Sequence, residues 1–204
     1  KLRLMKTLAV AAFAIVAVAA PPLAAQPAVD ISKIAAGTYK TDPAHTQVAF
    51  TVNHLGFTDY RGTVADATGQ LVLDPKNPAA ATVNIEIPIS NIATNSAGLT
   101  KHLHGPDFFD SAKYPTATFR STKVVVNGQE AKITGDLTLR GVTKPVTLDA
   151  RLAGAGPNPM SKAPTVGFHA TTTIKRSDFG MTYALPAVGD AVELQIEAAF
   201  EKAS

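Results

Sequence analysis

The chain of 204 residues is long enough for one or two domains, and its 46% hydrophobic and 17% charged residues suit a packed core and exclude a disordered chain. It contains no cysteine, which excludes a disulfide framework, a thiolate metal site and a cysteine nucleophile. The formal charge of +3 indicates a nucleic-acid partner only if the excess lies on the folded part of the chain.

The N-terminal segment has the features of an export signal. Three basic residues precede the apolar stretch 7–20, which ends at a pair of prolines and a group of small residues. This stretch is shorter than the roughly 20 residues of a membrane-spanning helix. The pattern predicts a signal peptide over residues 1–25, cleaved after Ala25, with an uncleaved anchor as the alternative. We expect a flexible segment over residues 26–36 and a location in the bacterial periplasm.

The predicted cleavage changes the charge of the protein. It removes three of the 19 Lys and Arg residues, so the remaining basic residues equal the 16 Asp and Glu residues in number. The mature protein is then formally neutral, and no nucleic-acid partner is expected.

The rest of the chain alternates apolar and polar residues with period two, which predicts half-buried β-strands. The alternating segments are 46–53, 82–87, 133–139, 146–152, 166–174 and 192–200. Turn signals lie between them at Thr68-Gly69, Asp74-Pro75, Asn127-Gly128 and Arg140-Gly141. We expect eight or nine strands in a single antiparallel all-β domain over residues 37–202, closed into a barrel that holds side chains or one small ligand.

One region, from about Ile89 to Tyr114, lacks this alternation. Ser90-Asn91 and Asn95-Ser96 are residue pairs that can cap short helices. We therefore predict a long, partly helical crossover there.

Alternation alone does not tell which face of a strand points inward. An outer-membrane barrel has the same period with its apolar face toward lipid, and is the alternative architecture. The chain has no Trp and only 4 Tyr, too few for the two aromatic girdles of such a barrel.

Four stretches carry a resemblance to a known family: TYKTDPAHTQVAFTVNHLGFTDYRGTV, LHGPDFFDSAKYPTATFRST, ITGDLTLRGVTKPVTLD and IKRSDFGM. In this order they resemble the YceI-like family of periplasmic polyisoprenoid-binding proteins, from about Gly37 to Lys202. The resemblance implies a lipocalin-like antiparallel β-barrel that stores or transports a long isoprenoid lipid, such as a polyprenyl lipid or an isoprenoid quinone. It implies neither an enzyme nor a required cofactor.

The chain departs from the family pattern at one place. Members often carry an Arg-Asp pair shortly before the His-Leu of the crossover, where this chain has Leu99-Thr100. Any polar contact that relatives make there is in doubt, whereas the Phe108-Phe109 pair that follows is intact.

An apolar tunnel binds a prenyl tail by burying it, at about 0.8 kcal/mol for each CH₂ group, so affinity is expected to grow with tail length. The same residues could instead fill a solid core. The candidate ligand-binding residues are Phe50, Val52, Phe57, Phe108, Phe109, Phe119, Leu137, Leu139, Phe168, Ile174, Phe179 and Met181.

Polar residues near the expected ends of the barrel are candidates for its rim or for contact with a head group. They are His45, His54, Arg176 and Asp178. Arg176 and Asp178 either pair with each other or meet a head group, and a structural ion pair is the favoured interpretation.

No metal site and no catalytic residue is predicted. His102 and His104 form an H-x-H pair whose rings would share a side in a strand or extended loop, but no third ligand is apparent. The sequence has no G-x-S-x-G, P-loop or G-x-G-x-x-G motif.

Two hypotheses from other classes remain open. One is a lipid- or quinone-acting enzyme that uses His45, His54 or Asp178 at the barrel mouth. The other is a protein that docks on a membrane cytochrome and holds its ligand as structure. A transient membrane contact and a homodimer are also open.

Overall fold

The computed structural model describes residues 29–31 and 34–203. The predicted signal peptide lies outside the described residues. The described chain forms an antiparallel sheet that closes on itself. Its strands are β1 (Gly37–Thr41), β2 (Gln47–His54), β3 (Thr58–Ala65), β4 (Thr68–Leu73), β5 (Thr82–Pro88), β6 (Ile92–Thr94), β7 (Thr116–Asn127), β8 (Glu130–Leu139), β9 (Val142–Pro157), β10 (Pro164–Lys175) and β11 (Val188–Lys202).

Three positions around the barrel are each occupied by two strand segments separated by a bend. β1 and β2 pair with successive parts of β11. β4 pairs with β1, and β3 pairs with β2. β5 then pairs with β4, and β6 pairs with β3. With each bent pair taken as one strand, eight strands follow one another around the barrel in chain order. The pairing of β1 with β11 closes the barrel, so the predicted eight-stranded antiparallel barrel is confirmed.

The first two bends have local causes. Between β1 and β2, Pro43 begins a 3₁₀ turn, and the Asp42 side chain caps that turn by accepting a hydrogen bond from the Ala44 amide. Between β3 and β4, Asp66 adopts a left-handed conformation with φ of 59°. The predicted turn at Thr68-Gly69 is therefore wrong, since these two residues begin β4.

The other turn signals fall between strands as predicted. Asn127 and Glu130 face each other across the tight β7–β8 hairpin. The β8–β9 hairpin turns at Arg140 and Gly141, which both have positive φ, as a two-residue hairpin turn of this kind requires. The Asp74-Pro75 signal lies in the longer connection from β4 to β5.

The crossover from β6 to β7 contains the α-helix α1 (Ala97–Leu103). Ser96 caps it as expected, because its side chain accepts a hydrogen bond from the Leu99 amide. Ser90-Asn91 cap no helix and lie in a 3₁₀ turn. The short strand β6 inside the predicted crossover was not foreseen, since three residues are too few to show alternation. None of the helices in the described ranges is both long and apolar enough to cross a membrane.

The described barrel has three clusters of buried side chains. One packs with Val29 and Ile34 and consists of Tyr39, Leu71, Leu152, Val166 and Phe200. The other two fill the opposite end of the barrel, which we call the closed end. The smaller cluster, Val64, Ile92 and Leu103, lies beneath α1. The larger cluster joins the walls of the barrel to the connection between β10 and β11. Its members are Ile89, Ala117, Phe119, Leu137, Leu139, Ile174, Phe179 and Met181.

Candidate functional site

A cavity of about 260 Å³ occupies the barrel beyond the closed end. The inward members of the alternating strands form most of its wall. Ile85, Leu148 and Leu194 are examples, and each is only half-buried although its side chain faces the interior. Side chains of a solid core would cover one another completely, so this partial exposure is that of a lined cavity.

The cavity opens at the end opposite to the closed end, and we call this opening the mouth. Residues of three connecting segments line it there: Ile31 and Ile34 before β1, Pro75 between β4 and β5, and Gly128 in the β7–β8 turn. Among the described residues, none from the connections at the closed end lines the cavity.

The two threonine hydroxyls of the described cavity wall are hydrogen-bonded to the backbone. The hydroxyl of Thr46 donates to the carbonyl of Ala199 and accepts from its amide, at 3.3 and 3.2 Å. The Thr172 hydroxyl donates to the Thr147 carbonyl at 2.9 Å. Within the described part of the chain, Glu130 is the only charged residue that lines the cavity. The interior therefore offers a ligand chiefly apolar contacts.

The described residues before β1, 29–31 and 34–36, lie at the mouth and are bonded to the barrel. Ile31 and Ile34 line the cavity, and the carbonyl of Val29 accepts a hydrogen bond from the Gln129 side chain at 3.1 Å. The Tyr39 hydroxyl donates to the Ala35 carbonyl at 2.6 Å. Tyr39 is completely buried, and this burial raises the pKa of its hydroxyl.

The predicted ligand-binding residues fall into three groups. Phe119, Leu137 and Phe168 line the cavity. A second group packs in or against the closed-end clusters, where side chains contact one another rather than the cavity. These residues are Phe50, Phe108, Phe109, Leu139, Ile174, Phe179 and Met181.

The remaining two candidates lie toward the closed end. Val52 is half-buried in β2 beside Tyr60 and Val192 and is outside the cavity wall. Phe57 is 87% exposed in the β2–β3 turn, so its prediction as a lining residue is wrong. Its aromatic character suggested burial, but the alternation of β2 ends before it.

Arg176 is a structural residue and contacts no cavity. Its guanidinium is buried and donates to the carbonyls of Gly189, Met181, Tyr183 and Val188 at 2.8 to 2.9 Å. Desolvation lowers its pKa, and the negative charge of Asp190 partly opposes this effect.

The expected Arg176–Asp178 pair is absent from the described hydrogen bonds and ion pairs, and Asp178 is exposed. Asp190 instead accepts from the amide and hydroxyl of Ser177 at 2.9 and 2.8 Å. These two bonds lower the pKa of Asp190. Arg176 and Asp178 both lie at the closed end of the barrel and outside the cavity wall, and the favoured ion pair between them is not among the described contacts.

The histidines also lie outside the cavity wall. His45 is exposed in the bend before β2, where it contacts Asp42 at 2.6 Å, and His54 ends β2 near the ring of Tyr60. The enzyme hypothesis placed them with Asp178 at the mouth, but His54 and Asp178 are at the opposite end.

His102 and His104 belong to α1 and its C-cap rather than to a strand or extended loop. His102 contacts Asp107 at 3.0 Å, and His104 contacts the Ser111 hydroxyl at 3.1 Å. In the described ranges, no group of three or more metal-ligating side chains is arranged to hold an ion.

At Leu99-Thr100, where this chain lacks the Arg-Asp pair of the family pattern, both residues make uncharged contacts within the protein. Thr100 accepts a hydrogen bond from the Thr94 amide at 3.0 Å, and Leu99 packs against the cluster beneath α1. An internal link between β6 and α1 is formed without an ion pair.

Several lining residues were not among the candidates. The aliphatic residues Ile85, Leu148 and Ile196 line the cavity and belong to the apolar faces of predicted strands, whereas most of the predicted candidates are aromatic. The period-two pattern was the signal that identifies them. Ile31 and Ile34 had no such signal, because they precede the first strand.

Comparisons with known proteins agree with this architecture. Residues 39–200 match the YceI-like domain family. Protein YceI of Escherichia coli O157:H7 is 45% identical over 163 residues, which cover 79% of this chain and 85% of that protein. The crystal structure of Campylobacter jejuni YCEI protein matches with a TM-score of 0.63 and 31% identity, covering 74% of this chain and 90% of that chain. A polyisoprenoid binding domain from Saccharophagus degradans shares the fold, with a TM-score of 0.61 at 13% identity, covering 81% of this chain and 98% of that one.

Proposed function

This chain belongs to the YceI-like family, and from this premise we propose that its barrel binds a long-chain isoprenoid lipid in the cavity. The observation that carries the proposal is the apolar wall of half-buried side chains around a cavity with one mouth. A prenyl tail matches this wall because it gains free energy from burial and needs no polar partner. A solved relative of the same fold is described as a polyisoprenoid binding domain.

The charge of the cavity wall favours a ligand with a neutral head group, such as an isoprenoid quinone. Glu130 is the single charged side chain among the described lining residues, and it lies at the mouth. The described lining residues include no Lys or Arg, whose side chains are the groups that usually bind a diphosphate. A quinone needs only hydrogen-bond donors, and the side-chain NH₂ group of Gln129 has a second N–H besides the one that bonds Val29.

We propose that the protein stores or transports this lipid in the periplasm. The pattern of residues 1–25 supports export. Carriage rather than turnover is supported by the wall itself, whose threonine hydroxyls are engaged in hydrogen bonds to the backbone.

The test is native mass spectrometry of the protein purified from an exporting bacterial host, followed by organic extraction of bound material. A stoichiometric prenyl lipid, recovered chemically unchanged, supports the proposal and identifies the ligand. Protein that stays empty after incubation with ubiquinone or a polyprenol in detergent micelles overturns it.

A matched pair of variants links binding to the cavity. Ala170 lines the cavity, whereas the neighbouring Thr171 is exposed on the outer face of β10. Ala170→Phe places a phenyl ring where the tail is expected to lie and should lower the amount of bound lipid. Thr171→Phe adds the same ring outside and should leave binding unchanged. Equal binding by both variants would place the lipid elsewhere.

A further inference from the structure

The large apolar side chains that are exposed on the described surface lie at the two ends of the barrel. Leu55, Phe57 and Tyr183 are at the closed end. The outer faces of the strands between the ends carry polar residues, as in β11. At the mouth end, the exposed apolar residues, which we call the mouth-end residues, are Ile31, Val72, Val125, Val126 and Met160.

The mouth-end residues are continuous with the cavity. Ile31 and Val126 are 54% and 37% exposed, and both also line the cavity. Apolar surface therefore runs from the interior of the barrel out to its edge. The exposed residues at the closed end have no such continuity, because the buried clusters separate them from the cavity.

The volume of the cavity indicates a role for the apolar surface that continues from the cavity to the edge of the barrel. About 260 Å³ is below the range of about 300 to 1,000 Å³ that is usual for ligand sites. A long prenyl chain that fills such a cavity still extends to the mouth. Apolar surface around the mouth can cover this outer part of the chain, or bring it directly against a membrane.

The proposed ligand points to the membrane as the occupant. An isoprenoid lipid resides in the apolar interior of a bilayer, so the cavity fills from a bilayer and empties into one. Val29 packs and Ile31 lines the cavity at the mouth end, so the described residues before β1 belong to the surface that would face the bilayer.

We propose that the mouth-end residues dock on the surface of a lipid bilayer, with the mouth facing the membrane, so that an isoprenoid passes between bilayer and cavity without entering water. This inference rests on the proposed function. Exposed aliphatic side chains gain free energy when they enter the interfacial region of a bilayer, and the same contact shields the lipid during transfer.

Single tryptophans can report which end contacts the membrane, because the chain contains no Trp. Met160 is 92% exposed at the mouth end and Phe57 is 87% exposed at the closed end, so neither replacement disturbs the core. With phosphatidylcholine vesicles, Met160→Trp should show emission at shorter wavelength and quenching by brominated lipid. Phe57→Trp should show neither effect. The reverse result, or no effect in either variant, would overturn the inference.

Lipid transfer gives an independent test with a matched control. Val125 and Met160 are exposed and outside the cavity wall, as are Leu55 and Phe57. The double variant Val125→Glu/Met160→Glu should extract polyprenol from phosphatidylcholine vesicles about tenfold more slowly or worse. It should still bind polyprenol delivered in micelles, and the control Leu55→Glu/Phe57→Glu should match the wild type in both assays.

The outcomes separate this inference from the proposed function. A wild type that binds polyprenol neither from micelles nor from vesicles contradicts the proposed function. If the wild type and the mouth-end variant bind polyprenol equally well from micelles and also extract it equally fast from vesicles, the docking inference alone is contradicted. A mouth-end variant that converts a dimeric wild type to a monomer, with no vesicle contact by either protein, assigns this surface to a second copy of the chain and also overturns the inference.

Discussion

The side-chain amide of Gln129 donates a hydrogen bond to the carbonyl of Val29, 100 residues away in the chain, at 3.1 Å. Gln129 belongs to the β7–β8 turn and Val29 to the segment before β1. The bond therefore joins two sides of the mouth, and the Ile31 and Ile34 side chains cover part of the cavity beside it. The backbone carbonyl of Gln129 independently accepts from the Leu152 amide, which holds the turn in place.

We predict that Gln129→Ala speeds the release of bound lipid. Loss of a hydrogen bond with a net value of about 1 kcal/mol should raise the rate about fivefold, if the segment moves before the lipid leaves. Transfer of a fluorescent prenol to acceptor vesicles measures this rate. Gln195→Ala, on the exposed outer face of β11, is the control and should release lipid at the wild-type rate. An unchanged rate in Gln129→Ala would mean that the lipid leaves without displacing the segment.

The packing of Phe119 against Gly135 predicts a strong effect from one methyl group. A Cβ at Gly135 would lie 2.5 Å from Cζ of Phe119 and 2.6 Å from the carbonyl oxygen of Arg120. Gly135→Ala should therefore lower the free energy of unfolding by about 1 to 3 kcal/mol and push the ring toward the cavity.

Gly154→Ala is the matched control for this substitution. Gly154 also lies in a strand, and a Cβ there would have no neighbour within 4 Å. Its urea denaturation curve should stay within about 1 kcal/mol of the wild type. Comparable losses in the two variants would show that backbone flexibility, rather than contact with Phe119, determines the effect at Gly135.

The four carbonyls around Arg176 predict that lysine cannot replace it. An ammonium group has no planar fork and cannot reach carbonyls on several sides at once, so buried acceptors lose their donors. Arg176→Lys should destabilise the fold by about 3 kcal/mol or more. The exposed Arg61 of β3 provides a control, and Arg61→Lys should change stability by less than about 0.5 kcal/mol. Thermal and urea unfolding measure both, and a stable Arg176→Lys variant would refute the structural role.

The lowered pKa of Asp190 predicts a contribution to stability that depends on pH. Because its folded pKa lies below the ordinary value of about 3.9, the stabilisation is complete above that pH and is lost as the pH falls through the folded pKa. Asp190→Asn should be less stable than the wild type at pH 7, with a difference that shrinks below about pH 4. Asp178→Asn serves as the control, because Asp178 is exposed and next in sequence to Ser177, the partner of Asp190. Urea titrations at several pH values test this, and a difference that is independent of pH would contradict it.

The strands were predictable because each buries one face, so apolar residues recur at every second position of the sequence. Val146, Leu148 and Ala150 in β9 are an example. Hairpin signals such as Asn127-Gly128 were reliable for a similar reason, since few residues adopt the conformation of a tight turn. The bend at Asp66 had no comparable signal. The glycine at position 69 suggested a turn, whereas it serves the close approach of β4 to the Asn84 carbonyl.

The sequence by itself determined that the chain forms an antiparallel barrel whose strands each have one apolar face, because alternation and turn chemistry are local properties. Only the tertiary structure decided which end of that barrel is filled and which end opens. Phe168 and Ile174 are both apolar members of the alternation in β10, yet Ile174 packs in the closed-end cluster and Phe168 lines the cavity. The physical reason is that a strand such as β10 runs from one end of the barrel to the other, so its alternation separates inside from outside but not one end from the other. That distinction depends on which connections fold over the ends, here the one carrying Arg176 and Phe179 at the closed end and the N-terminal segment at the mouth.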